Sequence, residues 1–416
     1  MPTLSITADL PAAWDSLLHR CGHSNPFVSA AYYNALEQSG SAIADTGWSR
    51  RVFALYDNDA VQGDTLTAAC VCYVKSHSYG EYVFDWAWAD AYAQHGLAYF
   101  PKLLCAVPYT PVPGPRIIAA DDAVRQALLQ AMIDDAKTLG LSSVHILFDE
   151  VKDALNVQQT QQTQKSKHSQ HEAYLQRHGV QFHWQNSSPS YKNFDAFLAN
   201  MQRDKRKKIL AERRKVASKG VSWRVLQGDQ GVQGEITAQD WAFFYQCYAQ
   251  TYAEHGRQTP YLTPAFFTQT PPSMWVMFVA ELENNKAVGE KEGAFQPIAA
   301  SLIAIDPQTK TAYGRYWGSL FHIDCLHFEA CYYQPLSWCI ANEYNSFEGG
   351  AQGEHKMARG LLPTPTTSLH WLSHPQFHAA VARFLERESA GIAAYADDLS
   401  ERSPMRPHTV NANDSH

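Results

Sequence analysis

The chain has 416 residues, 45% hydrophobic and 12% aromatic, which is enough to form two cores of ordinary domain size. Its 34 Lys and Arg residues against 41 Asp and Glu give a net charge of −7, which argues against DNA binding through overall charge. The sequence has no apolar run of the roughly 20 residues that cross a bilayer and no signal-peptide pattern at its start. We therefore predict a cytoplasmic protein without a transmembrane segment.

The first half predicts alternating strands and helices. Apolar periodicity and turn residues place, in chain order, strand 3–8, helices 12–21 and 28–39, a hairpin of strands 51–56 and 65–75, an aromatic strand 81–88, helices 97–106 and 122–139, and strand 144–148. Residues 158–170 then contain only polar residues and predict a linker or loop tip.

The second half predicts the same order of elements. It begins with strand 222–226 and helix 238–254, followed by hairpin strands 274–282 and 298–305, strand 312–318, helix 326–344 with a kink at Pro335, and strand 346–349. The repeat spacing of roughly 190 residues indicates an internal structural duplication. Eight cysteines are scattered without a CxxC pair or a Cys/His zinc spacing, so we predict buried thiols and no metal site.

One tract combines small residues with ionisable ones. Phe347-Glu-Gly-Gly-Ala-Gln-Gly-Glu-His-Lys356 ends the last predicted strand, and Arg359 follows. Clustered charges at a strand end are costly unless they are solvated, paired or used. If the end of this strand borders a ligand site, we predict Glu354 or His355 as the acceptor of a proton, and Lys356 and Arg359 as ligands of an anionic group.

The sequence resembles the acyl-CoA N-acyltransferase (GNAT-like) superfamily in its tandem form, and more narrowly the Fem-like "peptidoglycan biosynthesis/recognition" family. The residues that carry the resemblance are 252–263 (YAEHGRQTPYLT), 313–318 (YGRYWG), 326–329 (LHFE), 349–356 (GGAQGEHK), Arg359-Gly360, Pro363 and 368–371 (SLHW). The resemblance implies an α+β fold with a mixed sheet in two tandem GNAT-like domains. We expect an N-terminal domain at 1–155, a Gln-rich linker or loop at 156–171, a C-terminal domain with the active site at 172–395, and a disordered tail at 396–416.

In that superfamily the acyl thioester lies where two central strands separate, and backbone N–H groups polarise its carbonyl. The resemblance places this opening between strands 312–318 and 346–350. The helix that follows the first of these strands lacks the Gly-rich loop that receives coenzyme A, because 318–327 reads GSLFHIDCLH. The acyl donor could therefore be an acyl-CoA or, as in Fem-type relatives, an aminoacyl-tRNA, with a small-molecule or peptide amine as acceptor.

Further candidate residues have both a structural and a functional interpretation. Tyr316 and Trp317 are either core residues or a substrate platform, and His255, Arg257 and Tyr261 form a loop suited to ligand contact. Residues 203–219 contain nine basic and two acidic residues. This segment is either a solvated helix face or a landing surface for phosphates that includes Lys205 and Arg206.

Two function classes follow. The first is an enzyme that transfers an acyl or aminoacyl group to an amine by direct attack, because no cysteine stands in a nucleophile context. Its acceptor could be a cell-envelope or peptidoglycan precursor. The second is a non-catalytic protein that recognises such a precursor, a peptide or RNA. An open channel at the separating strands favours the enzyme, and side chains such as Trp317 and Phe347 that fill it favour the second class.

Overall fold

The computed structural model describes residues 2–59, 63–150, 173–228, 235–283, 295–351 and 353–406. The strands are β1 Thr3–Thr7, β2 Trp48–Asp59, β3 Gly63–Lys75, β4 Lys102–Cys105, β5 Ile117–Ala119, β6 Ser143–Ile146, β7 Leu175–Gln185, β8 Val221–Gln227, β9 Trp275–Glu283, β10 Phe295–Asp306, β11 Thr311–Ser319, β12 Ser346–Glu348 and β13 Leu362–Leu372. The α-helices are α1 Trp14–Arg20, α2 Ala30–Gln38, α3 Trp86–Gln94, α4 Asp122–Thr138, α5 Phe194–Ala199, α6 Arg203–Ala217, α7 Ala238–Glu254, α8 Pro264–Gln269, α9 Leu326–Phe328, α10 Gln334–Ala341 and α11 Pro375–Glu401.

The chain divides into two compact units. Unit 1 comprises Met1–Val180, Tyr261–Pro271 and Pro365–Ala394, and unit 2 comprises Gln181–Pro260, Pro272–Thr364 and Tyr395–His416. In unit 1, β1, β2, β3 and β4 are antiparallel neighbours, β6 is parallel to β4, and the end of β13 is antiparallel to β6. Helix α4 covers one face of this sheet, where Met132 and Ile133 pack with Phe53 and Trp371 in the core.

Unit 2 repeats this topology. Strands β8, β9, β10 and β11 are antiparallel neighbours, β12 is parallel to β11, and the end of β7 is antiparallel to β12. The consecutive β9 residues Val276 to Ala280 are all fully buried, as expected for a strand with both faces covered. The predicted α+β class with a repeated GNAT-like order of elements is therefore confirmed.

Two predicted elements of the first half are wrong. The predicted strand 81–88 is a loop followed by α3, and the predicted helix 97–106 contains strand β4. Residues 82, 84 and 86 are exposed while 81 and 85 are buried, so the loop imitates the two-residue period of a strand. In the second case Leu103 to Val107 form a short, completely buried apolar run, which periodicity alone does not distinguish from a helix.

The predicted disordered tail also differs from the structure. Helix α11 continues through Glu401 with Leu399 fully buried, and the backbone N–H of Gln202 donates to the Pro404 carbonyl at 2.8 Å. The polar composition after Ser400 did not predict these contacts, because backbone hydrogen bonds need no apolar side chain. The whole predicted linker, 156–171, and the last ten residues of the predicted tail lie outside the described residues, as does the predicted border at 155.

Candidate active site

The central parallel strands of unit 2 separate after a short contact. Strand β12 pairs with β11 only from Thr311↔Ser346 to Tyr313↔Glu348, whereas β11 continues along β10 as far as Ser319. Just past the last paired residues, a Cβ built on Gly350 would lie 3.5 Å from the Gly314 carbonyl oxygen. The segment after β12 is therefore still close to β11 at this point. Beyond this point β11 has no strand partner on that side among the described residues.

A cavity of about 270 Å³ lies at this separation. Its walls come from β10, β11, the helical turns after β11 and the segment that follows β12. The lining residues are Ser301, Leu302, Ile303, Gly314, Arg315, Tyr316, Trp317, His327, Cys331, Tyr332, Phe347, Gly349, Ala351, His355 and Lys356. The predicted opening is therefore present, and Trp317 and Phe347 form part of its walls.

A β-bulge shapes the β11 wall. Leu302 of β10 pairs with Tyr316, but the next residue, Ile303, pairs with Gly314, so Arg315 is an extra residue on β11. A bulge bends its strand and re-aims the peptide groups around it. The backbone of 314–316 is thereby turned relative to the rest of the ladder at the point where it borders the cavity.

The opposite wall contains a π-helical turn. Glu329–Tyr333 interrupts the helical run between α9 and α10, directly before the predicted kink at Pro335. Pro335 has no N–H for a regular helical bond, and an inserted residue in a helix often marks a functional site. His327, Cys331 and Tyr332 of these turns line the cavity. Burial, the coulombic interaction with His355 and the positive charges of Arg359 and Lys356 lower the pKa of His327 to about 4.

His355 and Lys356 lie side by side in a 3₁₀-helix, Glu354–Arg359, that follows Gly353. The His355 Nε2 atom is 3.2 Å from the Tyr332 hydroxyl. Burial and the charges of Lys356 and Arg359 lower the pKa of His355, so its ring is neutral at neutral pH. Lys356 is buried and donates to the Gly350 and Ala351 carbonyls at 3.3 and 3.1 Å, and burial lowers its pKa to about 8.

Two predicted site residues of the same helix have other partners. The Glu354 carboxylate is half-exposed and accepts hydrogen bonds from Arg402 at 2.6 Å and from the Tyr395 hydroxyl at 3.4 Å. Arg359 is buried against Glu212, with its guanidinium carbon 3.6 Å from the centre of the Phe328 ring. Neither Glu354 nor Arg359 is among the residues that line the cavity.

The predicted loop residues are dispersed. His255 is the exposed residue after α7, and its Nδ1 lies 2.7 Å from the Thr251 carbonyl oxygen. Arg257 follows in the same turn, and Tyr261 belongs to unit 1, where its ring stacks on Tyr109 at 4.7 Å. Of the predicted substrate residues, the cavity brings together Tyr316, Trp317 and Lys356.

The basic run forms helix α6. Its buried face consists of Ile209, Glu212 and Val216, while Lys205 and Arg206 are partly exposed near its start. His327, Cys331 and Tyr332 line the cavity but are not among the residues that the sequence predicted for the site. Their spacing along the chain offers no signal for the cavity, because the π-helical turn sets their direction.

In unit 1 the corresponding end of the parallel strands is filled. Arg116 is buried there, with its Nε donating to the Leu147 carbonyl at 2.8 Å and its backbone N–H donating to Asp149 at 3.1 Å. Nearby, the thiols of Cys70, Cys72 and Cys105 lie within 4.8 Å of one another and could hold a soft metal ion by distance. They lie in the apolar core between the sheet and α4, and the Cys105 thiol donates to the Arg116 carbonyl at 3.6 Å.

Comparison with known families identifies the chain. A model of the FemAB-like family, described as peptidoglycan biosynthesis/recognition, matches residues 5–407. The chain belongs to the FemAB-like family. No curated protein matches it. In the described part of this FemAB-like protein, no helix is both long and apolar enough to span a membrane.

Several solved structures are distantly similar to this FemAB-like chain. L-PGS from Bacillus licheniformis is 10% identical, with 91% of this chain and 98% of that one covered and a TM-score of 0.49. The C-terminal domain of a putative lysylphosphatidylglycerol synthetase from Agrobacterium fabrum is 9% identical, with 89% and 96% covered and a TM-score of 0.46. A tandem GNAT protein from the clavulanic acid biosynthesis pathway is 9% identical, with 90% and 99% covered and a TM-score of 0.40.

Proposed function

We propose that this FemAB-like protein is an N-acyltransferase that moves an acyl or aminoacyl group to an amine in the cavity of unit 2. The observation that carries the proposal is that His355 and the buried Lys356 line one cavity where two parallel strands separate. Burial and the charges of Lys356 and Arg359 lower the pKa of the His355 imidazole, which favours its neutral form. Family membership supports a cell-envelope or peptidoglycan precursor as the source of the acceptor amine.

The reaction needs stabilisation of negative charge on the carbonyl oxygen, an acceptor for the proton of the amine, and positioning of the donor and acceptor. The acceptor amine attacks the acyl carbonyl, the C–N bond forms, and the bond to the thioester sulfur or ester oxygen of the donor breaks. The peptide groups of the bulge at 314–316 border the position where the carbonyl would lie and would stabilise negative charge on its oxygen. His355 would accept the proton that leaves the attacking amine, because it is neutral at neutral pH and faces the cavity.

We assign the proton transfer to His355 and not to Glu354 because only His355 faces the cavity. The Glu354 carboxylate is occupied by Arg402 and Tyr395 outside the cavity lining. Lys356 would position the donor or acceptor through its buried ammonium group, as the sequence analysis proposed for an anionic ligand. A general base typically contributes on the order of 10²- to 10⁴-fold to a rate.

The donor is an acyl-CoA or an aminoacyl-tRNA. A cavity of about 270 Å³ is close to the lower limit of ligand pockets, which supports a short acyl or aminoacyl group with the rest of the donor outside. Lys205 and Arg206 of the basic helix α6 are candidates for contacts with donor phosphates.

A non-catalytic recognition protein is the second candidate, because the family description includes recognition. Under that hypothesis the same cavity binds a precursor without turnover. The position of Trp317 and Phe347 as walls that leave space between them favours the enzyme.

A ligand screen followed by a rate measurement tests the proposal. Acetyl-CoA, longer acyl-CoAs and charged tRNA are each tested for a rise in melting temperature, since a ligand of the native state stabilises it. Mass spectrometry then follows acyl transfer to amine acceptors by wild type, His355→Ala and Glu354→Gln. We expect only His355→Ala to lose the rate while still binding the donor. Donor binding without transfer to any acceptor would favour recognition, and full activity of His355→Ala would refute the assignment of the base.

A further inference from the structure

One loop of unit 1 exposes an unusual number of aromatic side chains. In the aromatic loop, residues 76–86, Tyr79, Tyr82, Phe84 and Trp86 are exposed by 48, 36, 51 and 42%. The chain contains no Lys or Arg between Lys75 and Lys102. Within the loop, the charged residues Glu81 and Asp85 are both buried. The outer face of the loop is therefore uncharged and rich in aromatic rings.

Three polar side chains of the aromatic loop, Ser78, Glu81 and Asp85, point inward to one buried cation. Lys102 has no exposed surface, and its Nζ donates to Ser78 Oγ at 2.8 Å, to Glu81 Oε2 at 2.8 Å and to Asp85 Oδ2 at 2.5 Å. The Tyr99 hydroxyl also donates to Asp85 Oδ2 at 2.6 Å. Residues 78, 81 and 85 thus fasten the loop from inside, which directs the intervening aromatic residues outward.

Backbone contacts hold the same loop at its middle. The Tyr109 N–H donates to the Gly80 carbonyl at 3.1 Å, and a Cβ at Gly80 would lie 2.5 Å from the Tyr109 ring. Among the exposed rings, Tyr79 and Trp86 lie 5.5 Å apart between centroids. The aromatic rings therefore form a preformed surface on a fixed loop, and large exposed apolar patches of this kind usually mark a binding site.

We propose that the aromatic loop binds the interfacial region of a lipid bilayer. Tyr and Trp concentrate at that depth because each combines an apolar ring with a polar group, and Phe84 adds a purely apolar anchor. A saccharide would need hydrogen-bonding side chains beside the rings, but Ser78, Glu81 and Asp85 are turned inward. His77 lies beside the Tyr79 ring, but its two ring nitrogens already contact the Thr46 carbonyl and the Tyr79 N–H. Since the loop contains no basic residue, its binding depends on apolar area and needs no anionic lipid. This proposal does not depend on the proposed acyl transfer.

Sedimentation of the full chain with uncharged phosphatidylcholine vesicles tests the proposal. We expect wild type to bind these vesicles, with little change between 0.05 and about 0.5 M salt, because screening weakens only charge interactions. The double variant Phe84→Ser/Trp86→Ser should bind at least about tenfold more weakly, as less apolar area enters the interface. Phe295→Ser, which changes an exposed aromatic residue of unit 2, is the matched control and should bind like wild type.

Four results would overturn the proposal. Wild type could fail to bind phosphatidylcholine, or the double variant could bind as well as wild type. Binding that requires anionic lipid and disappears at high salt would instead assign membrane contact to basic side chains outside the loop. A concentration-dependent dimer in light scattering that the double variant abolishes, without vesicle binding, would assign the loop to self-association.

Discussion

Arg359 and Glu212 form a buried ion pair in unit 2, with Arg359 Nη2 at 3.1 and 3.2 Å from the two carboxylate oxygens. The Tyr333 hydroxyl donates to the same carboxylate, and Arg359 Nη1 donates to the His355 carbonyl at 2.8 Å. The pair thus joins α6, the π-helical turn and the 3₁₀-helix that holds His355. Because its guanidinium group is held by Glu212, Arg359 lies near the cavity without lining it.

Replacing Arg359 should therefore affect folding before it affects ligand binding. Arg359→Ala leaves the buried Glu212 without its partner, and we expect a loss of about 3–5 kcal/mol in the free energy of unfolding. Urea denaturation measures this, and Glu212→Gln/Arg359→Met should recover much of the loss because no uncompensated charge remains. Undiminished stability of Arg359→Ala together with a raised KM would restore the sequence-based assignment of Arg359 to ligand binding.

The sequence predicted most of unit 2, where the elements have clear periods. Helix 238–254 has the observed bounds, and the strands on either side of the cavity differ from those observed by one residue at their ends. Among the elements that the sequence did not predict are β7, β13 and α11. Strands β7 and β13 are polar at many positions, and each is fixed by pairing with a strand far away in the chain. Local patterns contain no information about such partners.

The site was predicted less completely than the fold. A cluster of ionisable residues after a Gly-rich strand end indicated His355 and Lys356, and both line the cavity, while their roles stay predictions. This pattern contained no sign that the carboxylate of Glu354, next to His355, accepts a hydrogen bond from Arg402, which directly follows helix α11. Adjacent residues of a tight helix point in different directions, and only the packing of distant segments decides which side chain faces the cavity.

The pH dependence of transfer should show the lowered pKa of His355. Burial and the charges of Lys356 and Arg359 disfavour the imidazolium and lower the pKa of His355 from its usual value of 6.5. The ring therefore stays neutral, and able to act as a base, down to pH values below 6.5. We expect kcat/KM to fall as the pH decreases through a midpoint below 6.5. Lys356→Met removes one positive neighbour and should move that midpoint upward. Glu354→Gln should leave the midpoint unchanged. If Glu354→Gln removed the fall of kcat/KM at low pH, Glu354 would be the base instead.

Gly318 should tolerate no side chain. A Cβ at this position of β11 would lie 1.8 Å from the carbonyl oxygen of Cys247 in α7, a backbone atom that cannot rotate away. Gly318→Ala should therefore lower the free energy of unfolding by at least about 1–3 kcal/mol. Gly391→Ala in helix α11 is the control, because nothing lies within 4 Å of its Cβ and alanine is favoured in a helix by roughly 0.5–1 kcal/mol. Equal melting temperatures of the two variants would contradict the close packing of α7 on β11.

Charge reversal on helix α6 should identify the donor. We expect Lys205, Arg206, Lys207 and Lys208, all replaced by Glu, to leave the protein folded, because exposed charges contribute little to stability. If these side chains contact the phosphates of a tRNA, the variant binds tRNA more weakly, most clearly at low salt. The slope of log K against log salt then becomes shallower by roughly 0.7–0.9 for each lost contact.

Lys192→Glu, an exposed change outside the helix, should leave the slope nearly unaltered. An acyl-CoA has few phosphates, so weakened acyl-CoA binding with a small change in slope would favour that donor, and unchanged affinity for both would exclude this helix face from donor binding.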